Sequence, residues 1–112
     1  MISMSLDVKD LQPSKLEGVK IARAEGDGKT VVFDVIENLY TVNVGDRLEL
    51  IIDEAKPSDL DSYDFCGHGY LVVDEGAGYS LLSLWGILYK FTPPLGLKPE
   101  TKYYLCVRKA KS

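Results

Sequence analysis

The chain has 112 residues, 46% hydrophobic and 27% charged, with thirteen Lys and Arg against seventeen Asp and Glu for a net charge of −4. A folded chain of this size hides about two-thirds of its unfolded surface, so one core suffices without metal or disulfide, and the composition excludes a disordered tail or a collagen-like repeat. The acidic balance has the wrong sign for a protein that binds mainly by neutralising phosphates.

No apolar run approaches the roughly 20 residues of a membrane span, and "MISMSLDVKD" has acids where a signal peptide has its hydrophobic region, so the expectation is an intracellular, cytoplasmic protein. Residues 1–112 read as a single domain, loose only at its ends, about 1–14 and 110–112. Residues 16–24, "LEGVKIARA", alternate Leu16, Val19 and Ile21 with charged neighbours, and "EGDGK" then interrupts with an Asp-Gly pair, a hairpin signal. "TVVFDVIENLY" is β-branched and aromatic, which favours strand over helix. A turn at Gly45 and Asp46 leads to a third strand with Leu48, Leu50 and Ile52 on one face.

The segment 53–64, "DEAKPSDLDSYD", sets five acids against Lys56 and contains Pro57, so it reads as a solvated loop, with an acidic contact for a basic partner as its functional alternative. "YDFCGHGYLVVDE" resumes strand character and "GAG" turns the chain. Residues 80–91, "SLLSLWGILYKF", carry one charge, Lys90, and read as one long strand stopped by Pro93 and Pro94. Alternation then puts Leu81, Trp85, Ile87, Tyr89 and Phe91 on one face and Leu82, Leu84 and Leu88 on the other. One small core does not easily hide both, which predicts a partner over the second face. "KYYLCVRKA" is a last strand. About six strands without a helix predict an all-β fold, a small closed or partly open antiparallel barrel.

The chemical motifs fail on spacing. "GDGKT" ends like a phosphate-binding loop, but the first glycine of that motif falls at Arg23 and a strand follows instead of a helix. A calcium loop from Asp59 would need Gly at Asp64 and Glu at Tyr70. Cys66 and Cys106 lie far apart without a CxxC, and buried free thiols are the favoured reading; a zinc set of Cys66, His68 and Cys106 lacks a paired motif. His68 is the one histidine and no nucleophile elbow accompanies it, so no catalytic residue, metal or cofactor is assigned. Tyr79, Trp85, Tyr89 and Phe91 share a face by alternation. Their competing roles are filling the barrel, contacting a partner, or stacking single-stranded bases.

The segments "YTVNVGDRLELIID", "GHGYLVV", "SLWGILYKFTPPLGLK" and "YYLCVRK" resemble, in order and spacing, the G-subunit family of archaeal DNA-directed RNA polymerase, related to the small barrel protein shared by the eukaryotic nuclear polymerases. The likeness runs from about Leu16 to Lys109 and rests mainly on Val44-Gly45-Asp46 and the stretch around Trp85-Gly86-Ile87-Leu88. It implies an oligonucleotide/oligosaccharide-binding (OB) type barrel acting as a non-catalytic subunit docked on the outside of the largest polymerase subunit; the aromatic face read above, Trp85, Tyr89, Tyr79 and Phe91, supplies the candidate anchors for such a contact. The long loop of the eukaryotic relatives corresponds here to the short run 53–64, so its roles do not transfer. The competing class is a free single-strand nucleic-acid binder using Lys102, Arg108, Lys109 and Lys111 as a basic stripe.

Overall fold

The computed structural model describes residues 1–73 and 75–110. Eight strands close into one antiparallel barrel: β1 (Ile2–Pro13), β2 (Val19–Gly26), β3 (Lys29–Ile36), β4 (Arg47–Asp53), β5 (Phe65–Val73), β6 (Ser80–Leu84), β7 (Ile87–Thr92) and β8 (Lys102–Lys109). Around the barrel they run β1-β2-β3-β7-β6-β5-β8-β4, and β4 pairs back onto β1. The class is the one expected; the strand number is two higher, and both extra strands correct the sequence reading.

The first correction is the N-terminus. Residues 2–13 form a twelve-residue strand, laddered to β4 on one side and to β2 on the other, so the segment expected to be loose closes the barrel. Its pattern explains why: Met4, Leu6 and Val8 point into the core while Ser3, Ser5 and Asp7 face outward. Its first half, residues 2–7, is laddered to β4 and its second half, residues 7–13, to β2, so both halves are tied to a neighbour by backbone hydrogen bonds, which fixes the strand in place.

The second is the stretch 80–91, which is a hairpin. Leu84 pairs with Ile87, Leu82 with Tyr89 and Ser80 with Phe91, leaving Trp85 and Gly86 as a two-residue loop. Both loop residues have positive φ, 57° and 91°, as a type I′ turn requires. The turn resolves the two-faced strand. Crossing a two-residue loop exchanges the parity of the inward positions, so Leu82 and Leu84 before it and Tyr89 and Phe91 after it all enter one core. The sequence "EGDGK" makes the analogous connection between β2 and β3, with Asp27 and Gly28 at φ 51° and 75°.

The core is lined by every inward row, including Ala22, Val31, Phe33, Leu48, Leu50, Ile52, Leu105 and Val107. Phe33 stacks on Tyr89 with ring centroids 4.9 Å apart. The Tyr89 hydroxyl meets that of Tyr40 at 3.2 Å, which satisfies the polar tip of the fully buried Tyr89 ring with that of the partly buried Tyr40. Burial pushes the Tyr40 phenol up to about 12, opposed by its hydrogen bond with Tyr89 and helped by the Asp64 charge. Burial likewise raises Tyr89 well above the ordinary phenol range. Between β5 and β6 the backbones cross closely: a Cβ at Gly69 would lie 1.9 Å from the Ser83 carbonyl oxygen, so only glycine lets β6 fold over β5 there.

The acidic segment is a loop, as expected, with one short 3₁₀ turn at Leu60–Ser62. The cysteines differ from expectation. Cys66 on β5 lies directly opposite Cys106 on β8, and the two form a disulfide across 40 residues of sequence. Sequence separation says nothing about such pairing, because the register of two distant strands sets it.

Candidate functional site

Outward rows on β5, β6 and β8 build a surface unlike the rest of the barrel. On β5 the outward residues are Cys66, His68, Tyr70 and Val72, since Gly67 and Gly69 pair with the inward Leu105 and Tyr103. The His68 ring stacks on Tyr104 of β8, centroids 3.8 Å apart and planes within 6°. One rung further, Lys102 of β8 sets its ammonium 5.2 Å from the Tyr70 ring centroid. Tyr70 is also opposite Ser83 of β6, so Ser83, Tyr70 and Lys102 form one row across three strands.

Trp85 stands two positions beyond Ser83, on the turn that follows β6, and is 91% exposed. Val72 is 57%, Tyr70 49% and Leu88 41% exposed, which makes the neighbourhood of Trp85 apolar as well as accessible. A groove of about 490 Å³ runs between them, lined by His68, Tyr70, Val72, Ser83, Trp85 and Lys102. Partial burial, and then the charge of Lys102, hold the His68 pKa below its ordinary value, which favours the neutral imidazole.

The candidate anchors therefore separate. Trp85 and Tyr79 lie outside, Tyr79 half-buried with the Lys90 ammonium 4.5 Å from its ring centroid. Tyr89 and Phe91 are fully buried among Phe33 and the core leucines, where no partner reaches them, so the shared face expected from alternation does not exist. The cause is the turn: it sets Leu84 opposite Ile87, and opposed residues point to the same side, so the inward positions are even before the turn and odd after it. Sequence reasoning missed Tyr70 and Val72 as surface residues, although their spacing from His68 by two and four positions already places all three on one side of a strand.

The basic stripe also breaks up. Arg108 donates to Glu49 at 2.7 Å and lies over the Tyr63 ring, and Lys109 pairs with Asp46 at 3.5 Å, so neither base is available to a phosphate chain without losing a carboxylate partner. Lys102 sits at the opposite end of β8, and Lys111 lies outside the described residues. With both sulfurs in the disulfide, Cys66 and Cys106 cannot serve as thiolate ligands, and the zinc set considered with His68 cannot form. Among the described residues no group of three or more His, Cys, Asp or Glu side chains is placed to hold a metal ion.

The family model for the G subunit of DNA-directed RNA polymerase matches residues 1–110. Among curated proteins, the chain is similar to DNA-directed RNA polymerase subunit Rpo8 of Saccharolobus solfataricus, 27% identical with 96% of this chain and 92% of the relative covered. It is similar also to subunit Rpo8 of Sulfolobus acidocaldarius, 24% identical over 97% of this chain and 98% of the relative.

Proposed function

From the premise that the chain belongs to the G-subunit family of DNA-directed RNA polymerase, we propose that it is a non-catalytic, cytoplasmic component that docks on the largest polymerase subunit through the surface around Trp85 and supports assembly of the enzyme. The observation that carries the docking surface is the state of Trp85 itself. Its ring is 91% exposed and its backbone has φ 57°, a conformation that costs a side chain with a Cβ about 1–2 kcal/mol. A monomer gains nothing from either feature, and Asn in its place would make the same turn with less strain. Strain combined with an exposed large ring is what a hot-spot anchor displays before it is covered.

Supporting this reading, the groove beside Trp85 is flanked by Tyr70 and Val72, so a partner covering it would bury a contiguous apolar area. Among the described residues no helix is long and apolar enough to cross a membrane. The acidic chain with its paired Arg108 and Lys109 argues against free single-strand binding as the main role.

Trp85 is the one tryptophan of the chain, so its fluorescence reports directly on the surface. Titrating the isolated protein with the largest subunit should shift the emission to shorter wavelength, and Trp85→Ala should weaken association by about 2–4 kcal/mol, the range of interface hot spots. Undiminished co-purification of Trp85→Ala with the polymerase core would sink the proposal.

A further inference from the structure

The groove beside Trp85 differs from the rest of the molecule in charge as well as in polarity. The chain carries four more acids than bases, yet the described residues lining the groove include Lys102 and His68 and no carboxylate. Lys102 takes part in no ion pair among the described residues; its ammonium rests over Tyr70. At the far end of the same strand, by contrast, Arg108 and Lys109 are each held by an acid. An apolar slot next to an uncommitted cation fits a ligand with the complementary pair of groups.

Resting on the docking reading above, we infer that the groove accepts an extended acidic–apolar polypeptide segment of the polymerase, inserting a bulky apolar side chain against Trp85, Tyr70 and Val72 and presenting an Asp or Glu to Lys102. Strand geometry sets the spacing. Ser83, Tyr70 and Lys102 lie in one row across three strands, so Lys102 is about 10 Å from Ser83 across the sheet, and Trp85 lies two positions further along the chain from Ser83. An extended chain rising about 3.3 Å per residue spans that diagonal in roughly three to four residues. The segment therefore carries its apolar and acidic side chains about four positions apart, the even spacing that puts both on one face of an extended chain.

A single-stranded nucleic acid is the competing occupant, since aromatic rings and a lysine also suit bases and phosphates. The ring arrangement favours the peptide. Tyr104 has one face against His68 and Tyr70 has Lys102 over one face, so among the described rings beside the groove Trp85 is the most open. A single lysine does not track a phosphate backbone on a chain of net charge −4.

The test uses the assembled polymerase. A photo-reactive benzoylphenylalanine replaces Ser83, the complex is irradiated, and the cross-linked product is sequenced by mass spectrometry. The expected product is a polypeptide segment with a bulky apolar residue and an Asp or Glu about four positions away. Lys102→Glu should weaken association about tenfold, Lys102→Gln less, and changing the cross-linked segment's acid to Lys should restore binding to Lys102→Glu. Melting curves of the free variants check that both remain folded. Cross-links to RNA or DNA, a segment without a carboxylate, or wild-type affinity in a folded Lys102→Glu would each overturn the inference. Loss of association in Trp85→Ala with indifference to Lys102→Glu removes the acidic segment and leaves docking intact; indifference to Trp85→Ala removes docking itself.

Discussion

The barrel has two outer faces built on one kind of interior. On β1 and β2 the outward residues include Ser5, Asp7, Arg23 and Glu25, and their charges are matched: Arg47 reaches Asp7 at 3.1 Å and Arg23 pairs with Glu25. Apolar exposure there is isolated, as at Ile21. On β5, β6 and β8 the outward rows carry the His68–Tyr104 stack, Tyr70, Val72 and the disulfide, with Trp85 at the end. Behind both faces the inward residues are equally buried, Leu6, Ala22 and Phe33 on one side and Leu82, Leu84 and Leu105 on the other. Folding thus asks the same of both walls, so the core does not account for the difference between their outer surfaces.

The strongest test of that equality is in the core. Phe33→Ala should cost about 3–5 kcal/mol and Leu105→Ala about 2–5 kcal/mol of unfolding free energy, read by denaturant melts of the free protein. A value for Leu105→Ala near zero would mean that the aromatic wall does not share the core and would break the comparison. On the outer surface of that wall the sign should reverse. Trp85→Asn keeps the left-handed turn at lower strain, so the isolated protein should gain up to about 1 kcal/mol while losing affinity for its partner, a trade between stability and function.

The tyrosine pair gives an effect of similar size with a defined pH window. Because burial raises the folded-state pKa of Tyr40 to about 12, its stabilising contribution is complete below pH about 10 and is lost as pH rises through 12. At pH 11 the loss should be about 1 kcal/mol, and in Tyr40→Phe the decline in stability between pH 10 and 12 should be shallower. Absorbance titration of the native protein should show Tyr40 and Tyr89 still protonated above the ordinary phenol range. The smallest effect is expected on the charged wall, where Arg23→Ala should change stability by less than about 0.5 kcal/mol and leave polymerase association unaltered. A marked association defect there would put the docking surface on the wrong wall.

How much of this was legible depends on which residues are asked. The β2–β3 hairpin was, because Asp-Gly encodes its turn in two adjacent residues. The β6–β7 hairpin was not, because Trp-Gly is an unusual occupant of that turn, and the strand-like residues around it concealed the reversal. The alternation of Met4, Leu6 and Val8 with polar neighbours was present in the sequence and sufficed to indicate β1, although terminal position argued for disorder. Trp85 lies on the surface and Tyr89 and Phe91 in the core, and alternation assigned them to one face because a period of two carries no information across a turn.

By itself the sequence determined the all-β class, the alternating core positions of most strands, the acidic loop and the family likeness, since each depends on residues close together in the chain. The tertiary structure decided which strands are neighbours, that Cys66 meets Cys106, and that the hairpin sends Tyr89 inward and Trp85 outward. Those outcomes depend on register between distant segments, where shifting one strand by a single residue exchanges every inward side chain for an outward one.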